Sequence, residues 1–504
     1  MPCAVVLILA AWSRGAEYDE QYTLFLTSGV PRPDWPKTVF PAGLARELQS
    51  GNASLATIAR DLRITDVHPP LYFWLVALWR RVLGGDLFVA RLLSVVLGLG
   101  GLALTGVVAR LSRINPVCAM LLTLGCYGFT YTSVVARGFA LAQLLLLGGV
   151  TGLLAGRRGW HFALAGALFG AATLTNYLAL FAAGACLLAA CVKAVWPGRA
   201  LPGPRTEGQP PRPKGSHIVA AIAGFLAFIP ADLWWFLAQS GSRQDQFPPF
   251  SLTHSLARLG ARFAGDLLGG LPLYVHGAAS AAIAAALGLL LIGLIALVVW
   301  RWRDIGTPRA RTMFAFGALG PGVGLLALGA VFNNTPIEVR YLTFSTPFAG
   351  LLLAGALGWR GRSLICAVQA ASIAGLMLAP QTMQPARAAA WAAAALVQDG
   401  VVLLPRGNDG VGVVGAFAIE APPALLLQLI RAGDTEEQIR AHVAPWHRVV
   451  LALLEQDASS RAASEAMHRA LTEPDQATPM AIPIWRQVAR GPNVEVYERI
   501  AEQE

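Results

Sequence analysis

The sequence predicts a mainly α, polytopic helical membrane protein of about eleven spans, with a long first loop outside the membrane and a small C-terminal α/β domain. Three observations predict it. Of 504 residues, 55% are hydrophobic and only 13% charged, where a soluble domain carries about 25% charge. The mean hydropathy is +0.54. The apolar residues gather in runs close to the roughly 20 that cross a bilayer core as a helix. Beyond residue 380 the charges return, and short β-branched runs alternate with helical ones. The formal charge of +10 does not point to nucleic acid, because the basic residues sit in short clusters between apolar runs, as topology signals do.

Met1–Trp12 is apolar but short for a span, and lacks the charged start of a signal peptide. It reads as a first helix whose upstream part precedes the given start. The further candidate spans are Leu87–Ala109, Pro116–Val134, Gly138–Ala155, Phe162–Thr175, Leu178–Val195, Ile218–Leu237, Gly277–Trp300, Met313–Phe332, Leu342–Gly358 and Ser363–Pro380. Arg110 and Arg113, Arg157 and Arg158, a Pro/Gly-rich linker with Lys193, Arg199, Arg205, Arg212 and Lys214, then Arg301, Arg303, Arg309 and Arg311, and finally Arg360 and Arg362, fill every second loop. The positive-inside rule makes those loops cytoplasmic. The alternate loops are then extracytoplasmic. The chain thus reads as a transmembrane module, 1–380, with extracytoplasmic loops at 13–86 and 238–276, followed by an extracytoplasmic α/β domain, 381–504. In the tail, Val401–Leu404, Val411–Val414, Val449–Leu453 and Val494–Tyr497 read as strands, and Pro385–Val397 and Thr435–His442 as helices.

Within the first loop, "DVHPPLYFWLVALWRRV" (Asp66–Val82) suits a helix lying at the membrane surface. Its prolines fit a helix start, and Trp74, Trp79, Arg80 and Arg81 fit an interface. The six cysteines lie in apolar stretches without metal-ligand or redox spacing, so they read as small buried hydrophobes.

The residues that carry chemistry map to one face of the membrane. Asp19 and Glu20 follow the first apolar run, in "GAEYDEQYT". Asp66 and His68 open the surface helix. Arg91 and Arg137 sit at the outer ends of later runs, and Arg340 and Tyr341 follow Glu338 in "NNTPIEVRYLTFSTP". Ionisable groups at membrane depth are costly and usually functional. Any one of them has a plain reading: an arginine that snorkels, or an exposed Glu338–Arg340 pair worth little. Together they offer a carboxylate base and guanidinium forks that match phosphate oxygens. That set suits group transfer from a lipid-linked phosphate.

The order "YDE" (Tyr18–Glu20), "DVHPPLYFWL" (Asp66–Leu75), "ARLLSVVLG" (Ala90–Gly98), "VARGFAL" (Val135–Leu141) and "VRYLTFSTP" (Val339–Pro347) resembles the membrane glycosyltransferases of the GT-C fold. It is most similar to bacterial relatives of protein O-mannosyltransferases and of the aminoarabinose transferases that modify lipid A. The resemblance implies an inverting enzyme in the bacterial inner membrane. Its active site faces outward and moves a sugar from a polyprenyl-phosphate donor to an envelope glycan, lipid or protein. It implies Asp19 as base, Glu20 as its neighbour, and Arg137, Arg340 and Arg91 as holders of the donor phosphate. Asp66, His68 and Tyr341 then belong to the substrate loops. The sequence departs from the family where Arg-Pro-Tyr is common and Arg137–Phe139 reads Arg-Gly-Phe. Some GT-C enzymes use a divalent ion. Here no His/Cys cluster has ligand spacing, so the expectation is no metal and no cofactor. A transporter or flippase of polyprenyl-linked lipid is the rival reading, although no internal repeat supports it.

Overall fold

A computed structural model describes residues 2–195, 214–239, 248–273, 275, 277–378, 385–407, 410–455, 457–473 and 485–500. Arg199, Arg205 and Arg212 of the expected linker, His276 at the end of the second loop, and the boundary residues Pro380 and Gln381 lie outside the described residues. The chain divides into two compact units: Met1–Ser13, Leu62–Leu75 and Arg91–Ala379 form one, and Arg14–Asp61, Val76–Ala90 and Pro380–Glu504 the other.

Over its described residues each apolar run named above is mostly helical, with breaks at Cys126 and Ala227–Phe228. Five described helices are long and apolar enough to cross a bilayer: Leu87–Leu111, Gly215–Gln239, Ala278–Trp300, Pro308–Phe332 and Trp359–Leu378. The pair Pro116–Gly125 and Tyr127–Val134 makes a sixth if counted as one span, although it is bent by 74°. Pro2–Ser13, Phe139–Ala155, Gly159–Thr173, Ala179–Val195 and Thr346–Ala356 are apolar and shorter. The chain is an integral membrane protein. Gly215–Gln239 is interrupted at Ala227–Phe228, because the Pro230 ring opposes the carbonyl one turn back.

Small residues set how closely the helices of the first unit approach, as expected where lipid supplies no hydrophobic driving force. Gly159–Thr173 and Gly215–Leu226 meet through two glycines: a Cβ on Gly166 would stand 1.8 Å from the Ala221 carbonyl oxygen, and one on Gly224 2.1 Å from that of Ala163. Gly166→Leu is therefore expected to push the two helices apart and to destabilise the protein by about 1–3 kcal/mol, the usual cost of overpacking. Thermal unfolding in detergent reads the loss.

The second unit is built on a six-stranded mixed sheet, with β1 Phe40–Pro41, β2 Val401–Pro405, β3 Leu426–Ile430, β4 Arg448–Ala452, β5 Trp485–Gly491 and β6 Val494–Arg499. The spatial order is β1-β3-β2-β4-β6-β5. β2 is parallel to both β3 and β4, while the outer pairs are antiparallel. The central strand "VVLLP" is buried throughout, and a continuous apolar run is what a parallel strand covered on both faces requires. Val402 and Leu404 pack with Phe25, Trp35, Phe40 and Phe417. Val401 and Leu403 pack on the opposite face with Ile439, Met467 and Tyr497. The first loop thus shares this core, and its residue Phe40 pairs with Leu427 at the sheet edge.

Two local readings are corrected. Val411–Val414, expected as a strand, lies in the helix Gly412–Glu420. Its run is apolar at every position, so periodicity could not arbitrate. Packing decides it: Gly412 and Gly415 let this helix close onto Tyr18, Gln21 and Phe25. The helix after "HPP" forms as expected, at Leu71–Leu83, but Arg80 is not an interface anchor. It is 3% exposed and donates to the carbonyls of Leu24 (3.1 Å), Gln49 (2.6 Å) and Gly85 (2.7 Å) and to the Thr27 hydroxyl. Burial lowers its pKa to about 10, which leaves it charged at neutral pH.

Candidate functional site

The acidic stretch at the start of the second unit divides its labour. The helix Tyr18–Ser28 starts at Glu17. Glu20 reaches back to accept the Glu17 N–H at 2.9 Å, half of a capping box. The Glu17 carboxylate is paired with the buried Arg14 guanidinium. Glu420 accepts from Ala16 N–H (2.5 Å) and from Arg387 (2.7 Å), and Arg387 also donates to the Arg14 carbonyl (2.9 Å). These bonds fix the lead-in to the helix. Glu20 and Glu17 are 0% and 2% exposed and engaged in that scaffold; Asp19, in the first turn, is 9% exposed.

In the first unit, the turn between helices Tyr127–Val134 and Phe139–Ala155 carries Arg137. Arg137 is 2% exposed. Its guanidinium donates to Asp66 Oδ2 at 3.3 Å and lies 3.1 Å from His68 Nδ1. His68 Nδ1 is also 2.9 Å from Asp66 Oδ1. With a proton on Nδ1, His68 donates to Asp66; without it, the nitrogen accepts from Arg137. The Phe73 ring lies 5.6 Å from the guanidinium carbon. Behind the group, Gln239 donates to the His68 carbonyl (3.1 Å) and the Leu62 carbonyl (2.9 Å), and accepts from the Tyr177 hydroxyl (2.9 Å). The stretch Asp66–His68 thus supplies two side-chain partners of a buried arginine.

Arg340 and Tyr341 share the short helix Val339–Leu342. The guanidinium carbon lies 5.2 Å from the Tyr341 ring, and a terminal nitrogen 3.5 Å from its hydroxyl. Glu338, read beforehand as a surface partner of Arg340, instead holds two arginines that the sequence reading did not single out. Arg258 reaches it at 2.5 Å and Arg262 at 3.7 Å. They lie four apart on one face of the helix Leu252–Leu268, and this i,i+4 spacing in the second loop was the available signal. A further link was missed. Thr343 bonds the Thr132 hydroxyl at 2.8 Å and accepts from Gln143 at 2.5 Å. Those two residues flank Arg137, so the turn that carries it is tied to the segment that carries Arg340 and Tyr341. Arg91 is buried too, and donates to the Ala11 carbonyl at 2.9 Å. Among the described residues no three His, Cys, Asp or Glu side chains gather as a metal site.

The helical membrane unit, the long first loop and the α/β tail define the GT-C fold. The chain is similar over its whole length to the crystal structure of ArnT from Cupriavidus metallidurans bound to undecaprenyl phosphate, with 12% identity, 99% of this chain and 97% of that chain covered, and a TM-score of 0.51. The same protein in its apo state is matched at 13% identity over 99% of this chain and 96% of that chain, with a TM-score of 0.40. No family model matches the chain, and no curated protein matches it by sequence.

Proposed function

We propose that the chain is an inverting glycosyltransferase that moves a sugar from a polyprenyl-phosphate donor to an envelope acceptor on the outer side of a bacterial inner membrane. The observation that carries this reading is the buried Arg137, held by Asp66 and His68 in a chain of the GT-C fold. A guanidinium kept charged and fixed at a membrane protein's interior costs too much desolvation to serve packing alone. The motifs add Asp19, and a structural neighbour that carries undecaprenyl phosphate adds the class of donor.

In the proposed reaction, the acceptor hydroxyl or amine attacks the anomeric carbon. The bond from that carbon to the phosphate oxygen breaks, and its electron pair stays on the departing polyprenyl phosphate. Asp19 takes the acceptor's proton. Arg137 and Arg340 stabilise the charge gained by the phosphate, with the Tyr341 hydroxyl beside Arg340 as a further donor and Arg258 and Arg262 as further positive charge. Arg91, engaged with a backbone carbonyl, supports the helix that carries it. One displacement at the anomeric carbon inverts its configuration.

The test is incubation of the purified protein with an undecaprenyl-phosphate sugar labelled in the lipid and with an envelope extract as acceptor source. Time-dependent release of free undecaprenyl phosphate, absent without extract, is the expected result. Intact donor moved across a vesicle bilayer without bond cleavage would sink the reading. A narrower expectation concerns Glu338→Gln. It frees Arg258 and Arg262 from their carboxylate and should change the KM for donor several-fold while leaving the folded protein intact.

A further inference from the structure

The break between helices Pro116–Gly125 and Tyr127–Val134 is faced by polar atoms that the proposed transfer does not use. Asp266, in the last turn of the helix Leu252–Leu268, is 0% exposed, and among the described residues neither of its carboxyl oxygens has a hydrogen-bond partner. Gln369, on the helix Trp359–Leu378, donates its amide hydrogens to the carbonyls of Leu122 (3.2 Å) and Leu267 (2.9 Å). Those two bonds fix which end of the amide is oxygen, and that oxygen is also buried without a partner among the described residues. Both groups press on the break. A Cβ on Gly128 would stand 1.6 Å from Asp266 Oδ1, and one on Gly125 2.2 Å from Gln369 Oε1. Only glycine at these two positions lets the oxygens come so close to the broken backbone.

Every one of these unsatisfied atoms is an acceptor. A buried acceptor without a donor is costly, and an unpaired carboxylate far more so. An all-oxygen set with a single negative charge matches a hard monovalent cation. We propose that Asp266 and Gln369, at the broken helix, form a binding site for a monovalent metal cation, for which sodium is the probe and the proton the competitor. This site is separate from the proposed transfer chemistry, and its test does not depend on it.

Burial raises the Asp266 carboxyl well above the usual range, with no charged neighbour opposing the shift. The titratable and charged groups on the elements packed against it are Cys126 at the break, Tyr127 and Tyr131, Arg340 and Tyr341, Arg309 and Arg311, and Arg360, Arg362 and Cys366. On its own helix they are His254, Arg258 and Arg262. None of them pairs with the Asp266 oxygens. Sodium and the proton compete for the same oxygens, so the sodium effect must grow as pH rises and proton competition falls.

The experiment measures unfolding temperature of the full chain in detergent, in sodium chloride against choline chloride at equal ionic strength, at mildly acid and mildly alkaline pH. Sodium should raise the midpoint by a few degrees at alkaline pH and by less at acid pH, as a ligand of the folded state does. Asp266→Asn, which keeps the shape and removes the charge, should abolish the difference. Saturable binding of radiolabelled sodium to the wild-type protein is the second readout and holds even if the variant does not fold. Gln369→Leu should weaken it. Equal midpoints in the two salts together with no saturable sodium binding would overturn the proposal. A midpoint that follows pH but ignores sodium would overturn it in favour of a proton alone.

Discussion

Asp19→Asn is expected to lower the rate of sugar transfer by about 100- to 10,000-fold, the range over which a positioned general base acts, with folding and membrane insertion unchanged. The physical ground is the division of roles in the first turn. Glu17 is paired with Arg14, and Glu20 caps the helix by accepting the Glu17 N–H. An asparagine at 19 keeps the volume and loses the negative charge and with it the capacity to take a proton. The control is Glu20→Gln, whose amide oxygen can still accept from the Glu17 N–H. It should cost less activity than Asp19→Asn and little stability. Initial rates with the labelled donor, set beside an unfolding midpoint for each variant, make the comparison. Near-normal turnover in Asp19→Asn would remove this residue from the chemistry.

The second large effect is expected from Arg137→Ala, through two routes that can be separated. Loss of one preorganised charge at a developing anion costs about 100- to 1000-fold in rate. Loss of one partner from a buried ion pair also costs about 3–5 kcal/mol of stability, because the other charge is left behind. Here that charge is Asp66, whose side chain is 2% exposed, as is that of Arg137. The double substitution Arg137→Ala with Asp66→Ala removes the stranded charge. It should recover much of the unfolding midpoint and none of the activity. Recovery of both would make the pair a structural element. Recovery of neither would mean that the packing of the guanidinium against Phe73, not its charge, was lost.

How far the sequence led differs by element. Its apolar runs located the apolar helices of the membrane unit within a few residues, because hydrophobic length is a local property, but not the breaks at Cys126 and at Ala227–Phe228, nor the helix Leu252–Leu268 inside the second loop. The tail's class was legible from the same kind of signal: β2, β4 and β6 announce themselves as short β-branched runs. β3 and β5 were not read as strands, nor was β1 in the first loop, since two residues, Phe40 and Pro41, have no period to read. Gly412–Glu420 was misread because a wholly apolar stretch fits strand and helix alike. The candidate site shows the same limit. Asp66, His68 and Arg137 could each be picked out by residue type. Their mutual bonds join positions about 70 apart in the chain, and no local pattern encodes such a pairing. Glu338 illustrates the converse: its sequence neighbour Arg340 looked like its partner, while Arg258, 80 positions away, is the residue it holds.

By itself, then, the sequence determined that this is an integral membrane protein, where its helices run, and which residue types stand ready for phosphate and proton chemistry. Tertiary structure decided what each charge does: Glu17 and Glu20 build a helix start, Arg80 gathers carbonyls, Arg137 faces Asp66 and His68, and Asp266 is buried against Gly128 beside a broken helix. The reason is one of range. Hydrophobic burial is written residue by residue along the chain, but the cost of a buried charge depends on what the rest of the fold sets against it.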